Sequence, residues 1–72
     1  MLTESKLVPR LNVVIRKLRE ATEMTQRDLA RKAKVTPGYV AQLETGLRKN
    51  PSLPVLRRLA RALDVPLVAL LE

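Results

Sequence analysis

Cysteine and histidine are both missing from this 72-residue chain. Without cysteine there is no disulfide staple and no thiolate metal site. Without histidine the commonest general base and metal ligand is gone. The lack of disulfides fits a cytosolic protein. Tryptophan and phenylalanine are missing too, and Tyr39 is the one aromatic. Apolar residues still make up 46% of the chain, so the core must be Leu, Val, Ile and Ala, a set that suits helix packing. No apolar run nears the ~18 residues of a membrane span. The opening MLTESKLVPR lacks the charged-then-apolar pattern of a signal peptide. No enzyme is expected, since no paired carboxylates share a plausible pocket. Ser5 and Ser52 fall in an arm and at a helix cap, with no base nearby. No metal and no cofactor are expected either.

What the chain does have is positive charge. Fourteen Lys and Arg stand against seven Asp and Glu, a net charge of +7. Such a surface calls for a polyanionic partner, and nucleic acid is the usual one. The bland alternative is a basic surface with no partner. The length makes one small domain, residues 9–72, in which only about 60% of the unfolded surface is buried. Residues 1–8 read as a poorly ordered arm.

Periodicity and capping signals divide the rest. Leu11, Val14, Ile15 and Leu18 recur at i, i+3, i+4 and i+7, the buried stripe of a first helix over about Pro9–Thr22, with Pro9 at the first helical position. Val13 falls off that stripe. Thr25 and Asp28 have the spacing of a capping box for a second helix, whose Leu29, Ala30 and Ala33 face inward. Val35 plugs the core between helices. Thr36 caps a third helix, with Pro37 at its first position and Gly46 closing it. Val40 and Leu43 face inward there. Gly38 in its first turn costs about 1 kcal/mol relative to Ala, which suggests close approach of another surface. Ser52 caps a fourth helix to about Leu63, buried through Leu56, Leu59, Ala60 and Leu63, with Arg57, Arg58 and Arg61 on its outer side. Pro66 begins a last short helix through Leu71. The stretch Thr25–Gly46 thus reads as a helix-turn-helix whose second helix lies in the major groove of double-stranded DNA.

The run Arg19, Thr25-Gln26, Leu29-Ala30, Val35-Thr36, Val40, Gln42-Leu43-Glu44 and Gly46 resembles the phage repressor and Cro-type helix-turn-helix family, also called the xenobiotic-response-element type. The likeness continues through Asn50-Pro51-Ser52, Leu53, Leu56, Leu59, Ala60-Arg61-Ala62-Leu63, Val65 and Leu70-Leu71. The resemblance covers about Leu11 to Leu71. It implies an all-α fold, a compact five-helix bundle of the lambda-repressor-like DNA-binding type. It also implies operator binding as a two-fold dimer in a prokaryotic or phage setting, the two recognition helices entering grooves about 34 Å apart. Lys34 and Asp64 stand where the family commonly has glycine.

Candidate base-reading residues are Thr36, Pro37, Gly38 and Gln42. Gln42 can donate and accept together, which suits the N6/N7 edge of adenine. Pro37 offers at best a contact to a thymine methyl. Candidate backbone contacts are Gln26, Arg27, Lys34, Tyr39, Thr45, Arg48 and Lys49. The resemblance implies that Gln26 and the helix-end amides beside it bind a phosphate, for which helix N-termini are suited. It implies the same of Arg48 and Lys49 in the loop. A solvated polar residue and a solvated charge pair are the plain alternatives. Tyr39 either bonds a phosphate or packs on the loop. The resemblance further implies an ion pair of Arg19 with Glu44 as a scaffold link.

The last helix is apolar on nearly every side, and such a helix is usually buried. Val65, Leu67, Val68 and Leu71 are therefore the expected homodimer interface. A frayed tail, or docking against residues 1–8, is the alternative. The expected function is a DNA-binding transcriptional regulator, a dimeric repressor or small controller. An antitoxin-type protein that neutralises a partner, or an interaction module without a DNA role, are the other classes.

Overall fold

Capping chemistry sets most element boundaries in the computed structural model, which describes residues 10–71. Five helices follow one another: α1 (Leu11–Ala21), α2 (Gln26–Ala33), α3 (Pro37–Thr45), α4 (Leu53–Ala62) and α5 (Val68–Leu71). Among the described residues there is no strand. The expected arm over residues 1–8, and Pro9 at the head of the first helix, lie outside the described residues. α1 begins at Leu11, with Arg10 in the capping position and no side-chain cap.

The other starts follow the side chains. Thr25 Oγ1 accepts from the Asp28 amide at 3.0 Å, and Asp28 Oδ2 accepts from the Thr25 amide at 3.0 Å. Two otherwise unpaired amides are satisfied reciprocally. The Thr25 backbone N–H, then its side chain, hold the Asp28 carboxyl below its ordinary value, with help from Arg31. Thr36 Oγ1 accepts from the Tyr39 amide at 3.0 Å, and Pro37 takes the first turn of α3. Ser52 Oγ accepts from the Val55 amide at 3.4 Å to open α4.

Three helices end in one way. The residues after α1, α2 and α4 that turn left-handed are Glu23 (φ 59°), Lys34 (φ 61°) and Asp64 (φ 60°). The next amide then reaches back five residues: Met24 to Arg19 O at 3.1 Å, Val35 to Ala30 O at 3.0 Å, Val65 to Ala60 O at 3.0 Å. This six-to-one bond with an apolar residue behind it is the Schellman termination. Met24, Val35 and Val65 each pack against the core, so burial of the apolar residue offsets the left-handed cost of the polar one. Lys34 and Asp64 therefore accept the glycine-like conformation rather than reshape the turn. α3 instead ends on Gly46 at φ 87°.

The core draws on every helix: Leu11 and Ile15, Leu29, Ala30 and Ala33, Val40 and Leu43, Leu56, Leu59, Ala60 and Leu63, and Leu70. α2 packs against both α3 and α4, while α1 packs against α3 and α5. Two details differ from the expectations raised by the sequence. Arg58 is half-buried, not simply outward, and its Nε donates to Ala33 O at 2.9 Å. It closes the end of α2 from α4. α5 starts at Val68 rather than Pro66, because the chain passes first through tight bonds from Ala69 N to Pro66 O and from Leu70 N to Leu67 O, each 2.9 Å.

Candidate nucleic-acid interface

α3 has one buried face and one open face. Val40, Leu43 and Glu44 are buried, whereas Thr36, Pro37, Gly38, Gln42 and Thr45 are exposed. The four candidate base-reading residues are thus all exposed, Thr36, Pro37 and Gly38 at the start of the helix and Gln42 beyond its middle. A Cβ placed on Gly38 would meet nothing nearer than Thr36 Oγ1 at 4.0 Å. Packing among the described residues therefore does not require glycine there.

The loop after α3 folds back onto that surface. The Arg48 amide donates to Gln42 O at 3.1 Å. Its side chain donates to Gln42 Oε1 through Nε at 3.2 Å and Nη2 at 3.1 Å. Its guanidinium carbon lies 4.6 Å from the centre of the Tyr39 ring. Of the two roles open to Tyr39, packing on the loop is the one the geometry displays. Exposed Thr45 Oγ1 donates to Gln42 O at 3.2 Å. Arg27, Lys34 and Lys49 are exposed cations on α2, in the turn and in the loop.

Beneath α3 lies the link that ties it to α1. The Glu44 side chain is 1% exposed. Its Oε2 accepts from Arg19 Nε at 2.6 Å and its Oε1 from Arg19 Nη2 at 3.0 Å. This is the two-pronged geometry that a guanidinium and a carboxylate favour. Arg19 also donates through Nη1 to Met24 O at 2.8 Å, which secures the α1 termination. Gln26 Nε2 donates to Glu44 Oε1 at 3.0 Å, and half-exposed Arg16 stands 3.9 Å from the same oxygen. Burial pushes the Glu44 carboxyl up, but the bonds from Arg19 and Gln26 and the charges of Arg19 and Arg16 outweigh it. Its pKa therefore falls below the ordinary value. The bond to Glu44 raises the Arg19 pKa, against a smaller opposing effect of burial.

Sequence reasoning did not foresee that Gln26 bonds Glu44, nor that Arg48 bonds Gln42. The first links residues 18 apart, the second residues six apart across the end of α3, and no helix-periodic spacing signals either. The four apolar residues near the C-terminus lie elsewhere, because α5 packs on α1 and α4. Val65 and Leu67 are half-buried, while Val68 is 57% and Leu71 39% exposed. Among the described residues no cluster of carboxylates could hold a metal ion, and no helix is long and apolar enough to cross a membrane.

Known proteins share this fold. A family model described as helix-turn-helix matches residues 15–70. An HTH-type transcriptional regulator of Mycobacterium tuberculosis strain H37Rv is 45% identical over 51 residues, which is 71% of this chain and 36% of that protein. The chain thus spans 36% of the length of that curated relative. Among solved structures, the restriction-modification controller protein C.AhdI from Aeromonas hydrophila superposes with a TM-score of 0.81 at 36% identity, covering 89% of this chain and 94% of that one. The N-terminal DNA binding domain of SinR from Bacillus subtilis gives 0.83 at 30% identity, covering 88% and 91%. A variant of C.Esp1396I bound to its highest affinity operator site gives 0.79 at 31% identity, covering 93% and 87%. The chain belongs to the helix-turn-helix family, whose model matches most of its length.

Proposed function

We propose that the chain binds an operator in double-stranded DNA by laying α3 in the major groove, and that it acts as a repressor or small controller of transcription. Gly38 carries the reading. It weakens an exposed helical turn by about 1 kcal/mol, yet no contact among the described residues needs the space it leaves. The space faces outward, beside Thr36 and Pro37, so the first turn of α3 is thin enough for its backbone to approach base edges. Gln42 then supplies the polar readout. Arg27, Lys34, Lys49 and Thr45 reach phosphates on either side, and Gln26 does so with the first amides of α2, where a helix end attracts anions. Such contacts fix register and carry no base information.

A two-fold dimer belongs to the same proposal. Val68 and Leu71 are exposed beside half-buried Val65 and Leu67, and a second copy covering them would bring two α3 helices to one side of a duplex, about 34 Å apart. Sedimentation as a monomer at high micromolar concentration contradicts this part. The whole is tested by selecting bound duplexes from a random pool. A two-fold-symmetric motif, its half-sites one helical turn apart, supports it. Binding with no sequence preference contradicts it.

A further inference from the structure

Gln42 is not free to choose which of its atoms it shows. Arg48 donates to its Oε1 through two nitrogens, at 3.2 and 3.1 Å. The Arg48 backbone is tied to the same residue by the 3.1 Å bond to Gln42 O, and the Tyr39 ring holds the guanidinium from the other side at 4.6 Å. A guanidinium has donors and no acceptor. The Gln42 amide must therefore turn its oxygen to Arg48, since the flipped amide would set N–H against N–H. Its NH2 group then points away from Arg48. Together with the N–H groups Arg48 has left, it makes a surface that only donates.

That surface does not match adenine. Two-point recognition of adenine by an amide needs an oxygen to accept from N6 and an N–H to donate to N7. The oxygen is already engaged. Guanine offers O6 and N7, both acceptors. We propose that Arg48, backed by Tyr39, fixes the Gln42 amide so that α3 selects guanine at the base it meets. The inference rests on the placement of α3 in the major groove. Arg48 is here a positioning residue, acting on base identity through Gln42.

The test is duplex selection with the full chain and two variants, Arg48→Met and Gln42→Glu, each at an exposed position and each checked for helix content by circular dichroism. The full chain should select guanine at one position per half-site, about tenfold over adenine, which is about 1.4 kcal/mol. Arg48→Met frees the amide oxygen, so preference at that one position should move from guanine to adenine. Gln42→Glu keeps the contact with Arg48 but has no N–H to offer, so guanine enrichment there should vanish. Replacing that guanine with 7-deazaguanine should weaken the full chain by a similar factor. Adenine selected by the full chain would overturn the proposal. So would an Arg48→Met variant that binds every duplex more weakly with no change of base, as expected of a plain phosphate contact. A clear motif with the wrong base defeats this inference alone, whereas no motif from any chain defeats the proposed function and this inference with it.

Discussion

Removing the Arg19 side chain should cost the fold a large share of its stability. Glu44 is 1% exposed on its side chain and Arg19 is 13% exposed. The Arg19→Ala variant strips two bonds from the carboxylate, at 2.6 and 3.0 Å, and leaves it with half-buried Gln26 at 3.0 Å and Arg16 at 3.9 Å. Exposed pairs contribute about 0.2–1 kcal/mol. Breaking a buried pair by removing one partner costs about 3–5 kcal/mol, because a charge is left stranded. The Met24 carbonyl loses its donor as well. A domain of this size has a total stability of only about 4–11 kcal/mol, at the usual value per residue. Urea denaturation should show the loss. With a slope near 1 kcal/mol per molar, a loss of about 3 kcal/mol moves the midpoint by about 3 M. Exchanging both partners for apolar residues, Arg19→Met with Glu44→Leu, should recover much of that, since no charge is then buried alone. A single-variant loss below about 1 kcal/mol would refute the reasoning and put the pair in the surface class.

Other consequences concern the same scaffold. Because the Glu44 carboxyl titrates below its ordinary 4.5 in the fold, its contribution is fully present above that value and lost as pH falls through the lower folded one. Stability measured by denaturation from pH 6 downward should therefore fall below about pH 4.5, and Glu44→Gln should flatten that part of the curve. Arg58→Met removes the donor to Ala33 O at the end of α2, and a thermal melt should register a loss of about 1–2 kcal/mol. Lys34→Gly relieves a left-handed residue at a cost of about 1–2 kcal/mol, set against a glycine entropy cost of about 0.5–1 kcal/mol. A small net gain, about 0.5 kcal/mol, is expected by urea denaturation.

The legible parts of this fold were those written in local chemistry. Thr25 with Asp28, Thr36 with Pro37, and Ser52 mark helix starts within the residues that form them. The stripe Leu11–Val14–Ile15–Leu18 marks a buried face in the same way. The resemblance pointed to Arg19 and Glu44, which no spacing rule joins across the chain. What stayed hidden was long-range or conformational. Arg58 looks like any outward cation on α4 until α2 is packed beside it with an open carbonyl. Glu23 shows nothing in its own side chain of its left-handed turn; the signal is the apolar Met24 after it, as with Val35 and Val65. At the candidate site, the small residues of α3 were readable one by one. The bonds from Gln26 to Glu44 and from Arg48 to Gln42 were not, because the first depends on how α2 and α3 meet and the second on how the loop after α3 turns back on it.

The placement of α3 against DNA is tested most directly by following backbone amide shifts of the labelled chain as a duplex carrying the selected motif is added. The account predicts that the largest changes fall at Gln26 and Arg27, from Thr36 to Gln42, and at Arg48 and Lys49. Changes confined to α4 and α5, with the start of α3 unmoved, would contradict it.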